Sequence, residues 1–312
     1  MRYFVTGGAG FIGSHLVDKL VNIGSVTVYD NLSAGKKEYI QSHLDKKGFS
    51  FVQSDLLEPD HVATAVKQCD VVFHLAANPE VRAGIHNTDL DLKQGIIATY
   101  NVLEAMRLNG IKKLVFASSS VVYGETAVQP VPEDYGPLQP ISLYGAGKLG
   151  GEGLITAFCH LFNMQVWIFR FANVVGARAT HGVIFDFIKK LRQNPAELEI
   201  LGDGTQEKPY IHVEDCVDGI LYGFQNSNGQ VNVFNLGPPS TTSVSTIGRM
   251  LAEEMGLANV EFKCTGGNRG WPGDVPLVCL DTSRMEKLGW KPKYTSDEAV
   301  RRAIREILEE SD

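Results

Sequence analysis

The stretch Val5-Thr6-Gly7-Gly8-Ala9-Gly10-Phe11-Ile12-Gly13 decides how the rest of the chain is read. It completes a short apolar run, Arg2-Tyr3-Phe4-Val5, that reads as a buried strand meeting glycines where a helix should begin. Glycines at 7, 10 and 13 make a G-x-x-G-x-x-G spacing rather than the commoner G-x-G-x-x-G. Small residues there let backbone N–H groups approach a pyrophosphate, and a helix start adds partial positive charge. The helix that follows, Phe11 to about Ile23, places Ile12, Leu16, Leu20 and Ile23 on one apolar face. The next strand, Val26-Thr27-Val28-Tyr29, runs into Asp30. That acid lies 17 positions beyond Gly13, near the roughly 20-residue spacing of a carboxylate on an adenosine ribose. Strand, glycines, helix, strand and acid together predict a Rossmann-type dinucleotide site.

The remaining composition is ordinary for a folded protein: 312 residues, 44% hydrophobic and 21% charged. The net charge of -7 is spread along the chain without a basic run, which argues against nucleic acid as a partner. Five cysteines, at 69, 159, 216, 264 and 279, have no C-x-x-C spacing and read as buried thiols in a reducing compartment. The eight histidines show no ligand spacing, so no metal is expected. With no leader-like segment and no long apolar span, the expectation is a cytoplasmic protein with no membrane partner.

Further strands are predicted at residues 48–54, 70–75, 113–118 and 165–171, with a helix from Asp89 to about Asn109 through Leu92, Ile96, Tyr100, Leu103 and Met106. The βαβα alternation predicts a doubly wound parallel sheet. Past Asn173 the segments are mixed, which suggests a Rossmann domain over 1–173 and a smaller α/β region over 174–312, with some segments returning to the main sheet. Asn31-Leu32-Ser33-Ala34-Gly35 offers small polar groups beside the adenosine. Asp55, before Leu56, fits two readings equally: an adenine-edge contact, or the N-cap of a helix beginning at Pro59. After the fourth strand, small residues at Ala76 and Ala77 let backbone approach the cofactor. His74 within that strand reads as a buried, hydrogen-bonded histidine.

The second strong signal is Tyr144-Gly145-Ala146-Gly147-Lys148 at the start of a long helix. Residues i and i+4 share a helix face, so Tyr144 and Lys148 point together. A tyrosine, with an ordinary pKa near 10, needs a cation close by to act as a phenolate at neutral pH. Lys148 and a positive nicotinamide ring would supply it, and the phenolate could take a proton from a hydroxyl while hydride leaves the same carbon. A Ser-rich strand end, Ser118-Ser119-Ser120, precedes the pair.

With these motifs in view, the chain resembles the extended short-chain dehydrogenase/reductases, and within them the UDP-glucose 4-epimerase group. The likeness runs through residues 6–15, Asp30-Asn31, His74-Leu75-Ala76-Ala77, residues 118–124, Tyr144 to Lys148, Arg170-Phe171-Ala172-Asn173, Tyr210 to Asp215, and Pro272-Gly273-Asp274-Val275-Pro276. The resemblance implies NAD as cofactor and a UDP-sugar as substrate. Tyr144 would take the sugar O4 proton as hydride passes from C4 to NAD, and hydride would return to the other face of the 4-keto sugar. Ser119 would hydrogen-bond O4 and Lys148 would hold the nicotinamide ribose. The residues expected around NAD are Gly7, Gly10, Phe11, Ile12, Gly13, Asp30, Asn31, Ser33, Gly35, Asp55, Leu56, Leu75, Ala76, Ala77, Ser118, Tyr144, Lys148 and Phe171. Around the sugar nucleotide they are Ser119, Ser120, Tyr144, Asn173, Val183, Leu201, Lys208, Arg269, Asp274 and Val278. In that set Asn173 contacts the phosphate region, Leu201 clamps the uracil and Asp274 binds the uridine ribose. The resemblance also implies a homodimer through the helices starting near Asp89 and Tyr144.

Dehydratases of this fold carry an Asp-Glu pair directly after the position of Ser119, and decarboxylases usually place a Glu there. Ser120 and Val121 stand here instead, which weighs against both reactions. Lys208 occupies the place of a phosphate-binding Arg, Gln94-Gly95 stands where Asn residues are usual, and Arg269 lies two places further from Asp274 than usual. Val278, at the position that sets room for an N-acetyl group, does not decide between hexose and N-acetyl substrates. Arg82 fits either a uronate carboxylate or a solvated surface. The alternatives to UDP-glucose/UDP-galactose epimerisation are therefore a UDP-GlcNAc or UDP-glucuronate 4-epimerase, a nucleotide-sugar reductase and a non-catalytic NAD-sensing protein. Asp30 opposes NADP, because a carboxylate repels a 2′-phosphate.

Overall fold

The structure is a computed structural model and describes residues 1–310. In chain order the first elements are β1 (Arg2–Thr6), α1 (Phe11–Leu20), β2 (Ser25–Asp30), β3 (Phe49–Gln53), α2 (Pro59–Ala65), β4 (Val71–His74), α3 (Ala98–Leu108), β5 (Lys113–Ser119), α4 (Leu143–Phe162) and β6 (Gln165–Phe171). There follow β7 (Asn173–Val175), α5 (Val183–Gln193), β8 (Glu197–Ile200), β9 (Glu207–Lys208), β10 (Tyr210–His212), α6 (Val213–Asn226) and β11 (Val231–Leu236). The chain continues through β12 (Thr242–Ser243), α7 (Val244–Glu254), β13 (Glu261–Cys264), α8 (Ser283–Leu288) and α9 (Ser296–Glu309).

Seven strands form the main sheet in the order β11-β6-β5-β4-β1-β2-β3. This is a doubly wound Rossmann arrangement with one further strand, β11, at the β6 edge. Helices cover both faces of such a sheet, so its strands need no alternation, and Phe4, Val5, Val72 and Phe73 are wholly buried. Strand order reverses between β1 and its neighbours: Thr6 pairs with Tyr29 of β2 on one side and His74 of β4 on the other. The carboxyl ends of these three strands therefore bring Gly7, Asp30 and Leu75 to one edge, where ligands bind in open α/β sheets.

Two compact units divide the chain. The first comprises Met1–Val122, Ser142–Arg170 and Ile220–Phe234; the second comprises Tyr123–Ile141, Phe171–Gly219 and the chain from Asn235 on. The second unit packs α5, α7 and α9 around Ile184, Leu191, Leu198, Ile247 and Ala303. Its last helix starts in a capping box between Thr295 and Glu298. Arg302 and His212 both bond Glu306, tying α9 to β10.

Three local expectations fail. Helix α1 ends at Leu20, so Ile23 lies in the turn before β2 and is 51% exposed. The segment expected as one regular helix from Asp89 opens as a π-helix, Leu92–Ile97, before α3. Its wider turn changes which residues share a face, leaving Leu92 50% and Tyr100 45% exposed while Leu103 and Met106 are buried. Only Cys159 and Cys216 of the five free thiols are fully buried, and Cys264 is exposed at the end of β13. No helix among the described residues is long and apolar enough to cross a membrane.

His74 is buried, as its strand position predicted. Its Nδ1 lies 2.7 Å from the Thr6 hydroxyl and its Nε2 3.0 Å from that of Thr99. Thr99 donates onward to the Gly95 carbonyl, so it accepts from Nε2–H, and Nδ1 accepts from Thr6. Burial, with Lys148 adding repulsion, lowers the His74 pKa from 6.5 to about 3. Between those values only the unfolded chain takes the extra proton. This contribution to stability is thus complete above pH 6.5 and is lost as pH falls toward 3, at up to about 1.4 kcal/mol per pH unit. The melting temperature of the parent is expected to fall more steeply than that of His74→Gln as pH drops below 6.5; equal slopes in a thermal scan would contradict this.

Candidate active site

The glycine loop is built by contact. Gly7 takes φ +69°, and a Cβ there would stand 2.7 Å from the Ala76 nitrogen. A Cβ on Gly13 would stand 2.0 Å from the Gly7 carbonyl oxygen, so neither position admits a side chain. A Cβ on Gly10 would meet only that same oxygen, at 3.2 Å, and would otherwise fill the cradle in front of the helix. Gly10 caps α1 without any side-chain bond, and the first turn has no acidic residue. The N–H groups of Phe11, Ile12 and Gly13 therefore begin a helix that supplies them no intrahelical acceptor. Donors without acceptors beside the open space at Gly10 fit the pyrophosphate of a dinucleotide.

Asp30 ends β2 with one carboxylate oxygen accepting from Ala9 N–H at 3.0 Å and the other from Leu32 N–H at 2.9 Å. Burial raises its pKa, and those two N–H groups oppose the rise. Asn31 donates to Asp55 Oδ2 at 2.8 Å and accepts from Ser33 N–H at 2.9 Å. Asp55 Oδ1 accepts from Leu57 N–H at 2.9 Å, whereas the N-cap of α2 is Glu58. Of the two readings of Asp55, the cap is thus excluded. Gly35 packs on Ala9, where a Cβ would come within 2.9 Å. Leu56 is buried, its carbonyl accepting from Asn101, and Leu75 and Ala76 are held to Thr6 by N–H bonds. Ala77 follows in the same turn.

Tyr144 is the second residue of α4, whose N-cap, Ser142, accepts from Gly145 N–H. One turn on, Lys148 is only 4% exposed. Its Nζ donates to the Ala117 carbonyl at 2.7 Å and lies 5.0 Å from the Phe116 ring centroid and 5.8 Å from that of Tyr144. Burial lowers the Lys148 pKa to about 8, against the raising effect of Asp91 and Glu152. Tyr144 is raised, first by burial and then by the charge of Asp91. In the protein alone these directions favour the phenol, and the phenolate expected from the sequence calls for the nicotinamide charge in addition to Lys148. At the end of β5, Ser119 Oγ accepts from Val121 N–H at 3.4 Å, with Ser120 next in the chain. The Ser118 hydroxyl instead donates to Glu152 Oε1 at 2.5 Å.

Glu152, Arg170 and Asp91 were not among the residues picked out from the sequence as site residues. Arg170 meets Glu152 through Nε at 3.0 Å and Nη2 at 2.7 Å, with both side chains almost wholly buried. A charged residue inside the apolar run Trp167-Ile168-Phe169-Arg170-Phe171 requires such a partner, and that was the available signal. Arg82, for its part, is paired with Glu80 at 3.2 Å on the surface.

The second unit holds Phe171, buried at the end of β6, and most of the residues expected around the sugar nucleotide. Lys208 is paired with the buried Asp274. Asp274 Oδ2 accepts from Gly270 N–H, and its carbonyl accepts from Arg269 Nη1, each at 3.1 Å. Arg269 Nη2 also reaches Glu125 at 2.6 Å. Leu201 adjoins Gly270, where a Cβ would lie 3.7 Å from that of Leu201. Asn173 N–H donates to the Pro209 carbonyl, and Val278 N–H to that of Glu207. Val183 opens α5 and packs on that unit's core.

Residues 3–237 match the NAD dependent epimerase/dehydratase family. A putative UDP-glucose 4-epimerase from Methanocaldococcus jannaschii is 35% identical over 96% of both chains. UDP-glucuronic acid decarboxylase 1 of Xenopus tropicalis is 30% identical over 99% of this chain and 72% of its own. The crystal structure of a UDP-galactose 4-epimerase superposes with a TM-score of 0.89 at 41% identity, covering 99% of each chain. With its glycine cradle, Asp30 and the Tyr144–Lys148 pair, this chain belongs to the NAD-dependent epimerase/dehydratase family.

Proposed function

We propose that this protein is a UDP-sugar 4-epimerase whose substrates are UDP-glucose and UDP-galactose. The observation that carries this reading is Tyr144 and Lys148 on one turn of α4, combined with a β5 end, Ser119-Ser120-Val121, that holds no carboxylate. Bound NAD supplies reversible uptake of hydride from a carbinol carbon. Gly7, Gly10 and Gly13 would leave room for its pyrophosphate, the N–H groups of Phe11 and Ile12 would donate to that anion, and Asp30 would accept from the ribose. Asn31, Ser33, Gly35, Asp55, Leu56, Leu75, Ala76, Ala77, Ser118 and Phe171 complete this proposed set.

Tyr144 Oη takes the O4 proton as the sugar is oxidised and returns it when the sugar is reduced. Lys148 holds positive charge near the phenolate, and Ser119 Oγ orients O4. Ser120 lies next to it. Lys208 and Arg269 are the proposed diphosphate contacts and Asp274 the ribose contact, with Asn173, Val183, Leu201 and Val278 around the nucleotide and sugar. An epimerase must remove and restore hydride on one carbon only, which demands no acid or base at C5 or C6. The absence of a carboxylate at 120 and 121 matches that demand and disfavours the decarboxylation found among the relatives.

Incubation with UDP-galactose, UDP-GlcNAc and UDP-glucuronate, each followed by separation of products, tests the reading. UDP-glucose should form fastest, from UDP-galactose and without added NAD, and the denatured protein should release NAD. Loss of carbon dioxide from UDP-glucuronate, or conversion that consumes added cofactor, would overturn it.

A further inference from the structure

Asp91 is a buried carboxylate that the reaction as described does not use. It is 3% exposed and immediately precedes the π-helical segment Leu92–Ile97. Its Oδ1 accepts from Asn78 Nδ2 at 3.1 Å. Its Oδ2 is buried and has no hydrogen-bond donor among the described residues. Two glycines pack on Asp91, Gly84 on its carboxylate and Gly147 on its backbone and Cβ. A Cβ on Gly84 would stand 3.1 Å from Oδ2, and a Cβ on Gly147 would stand 2.9 Å from the Asp91 carbonyl oxygen and 3.4 Å from its Cβ. Gly147 directly precedes Lys148 and lies three residues after Tyr144. Without a side chain at 84 and 147, Asp91 sits against the first turn of α4 with one oxygen uncommitted. Burying a carboxylate with an open acceptor is costly unless a nearby charge offsets it.

We propose that Asp91 is a positioning residue of the Tyr144–Lys148 pair, its buried carboxylate setting how that pair holds its protons. This rests on the reading of Tyr144 as the base. The groups facing the carboxylate are few. Asn78 donates to it from the turn after β4, and Tyr144 and Lys148 lie on α4 on either side of Gly147, which packs on Asp91, close enough for their charges to act on one another. On the element carrying Gly84, Arg82 and Glu80 pair with each other. On the flank of Asp91's own element, Lys93 pairs with Asp89. Behind Lys148 stands Glu152, committed to Arg170 and Ser118, and His74 is neutral. Asp91 is thus the one carboxylate in this group that is not already neutralised by an arginine or a surface lysine. Its charge favours the ammonium of Lys148 and opposes the phenolate of Tyr144. Tyr144 then stays a phenol until a further positive charge, such as that of an oxidised nicotinamide, reaches the pair.

The test titrates the NAD-loaded protein and reads the near-ultraviolet absorbance of the phenolate. The difference between the parent and Tyr144→Phe isolates Tyr144. In Asp91→Asn the half-ionisation point of Tyr144 should fall by about one pH unit, a tenfold change in its proton equilibrium. Both limbs of the kcat/KM profile should move to lower pH together, because Lys148 loses the same support. Asp91→Glu, which keeps the charge, should titrate near the parent. Asp91→Ser also removes the charge and is read in the same way where the Asn variant does not fold. A half-ionisation point unchanged by both charge-removing variants, or activity lowered at every pH with the limbs in place, would overturn the proposal. The reading beneath it fails by a separate result, near-parental turnover in Tyr144→Phe.

Discussion

Tyr144→Phe is expected to lower kcat with UDP-galactose by about two to four orders of magnitude, the usual contribution of a general acid or base. The substitution removes one oxygen and leaves the ring. The cap at Ser142, the Lys148 bond to Ala117 and the contact of Lys148 with the aromatic face of Phe116 do not depend on that oxygen. UDP-sugar binding, measured by calorimetry, should therefore change little while turnover collapses. That separation matters more than the size of the loss, since a misfolded site would weaken both. Near-normal kcat in a correctly folded variant would remove Tyr144 as the base. Lys148→Met makes a useful companion, because it deletes the ammonium while keeping much of the buried stem.

Arg170→Met should be strongly destabilising, costing about 3–5 kcal/mol. The penalty comes from what remains. Glu152 would keep the Ser118 hydroxyl on Oε1, yet lose both guanidinium bonds in a site where its side chain has almost no access to water. An isolated carboxylate in such surroundings takes up a proton or unfolds the region. Urea unfolding at neutral pH measures the loss, and Arg170→Met combined with Glu152→Leu should recover much of it, since two apolar groups leave no charge stranded. A cost below about 1 kcal/mol, the range of exposed pairs, would show that the pair is solvated in solution.

Much of this architecture is legible because its signals are local. The strand–glycine–helix–strand–acid series occupies residues 2–30, and every step follows from a period or a turn. Tyr144 and Lys148 are likewise legible, being one helical turn apart. The poorly legible features depend on contacts distant in sequence. Lys208 finds Asp274 across 66 positions, and Arg269 finds Glu125 on a loop far upstream. Asp91 looks like any acid between Leu90 and Leu92, and only the fold shows that two glycines bury it. The π-helical start before α3 escaped for a related reason. A 3.6-residue period through Leu92, Ile96 and Tyr100 presupposes the regular turn, whereas the chain there widens and brings Gly95 against Gly147. The bond from the Ser118 hydroxyl to Glu152 spans 34 positions and is likewise invisible to a local pattern.

The carboxylate of Asp30 has a consequence for redesign. Because its two oxygens accept from Ala9 and Leu32, it is a strut of the glycine loop as well as the proposed ribose contact. Ala9 in turn accepts Lys36 N–H and packs against Gly35, so the same residue braces the turn that follows β2. Replacing Asp30 with a small neutral residue to admit a 2′-phosphate would therefore loosen the cradle that holds either cofactor. Retuning the preference requires a second substitution that restores an acceptor for the Ala9 amide. On the proposed reading one side chain carries both discrimination and rigidity, and a change to the first disturbs the second.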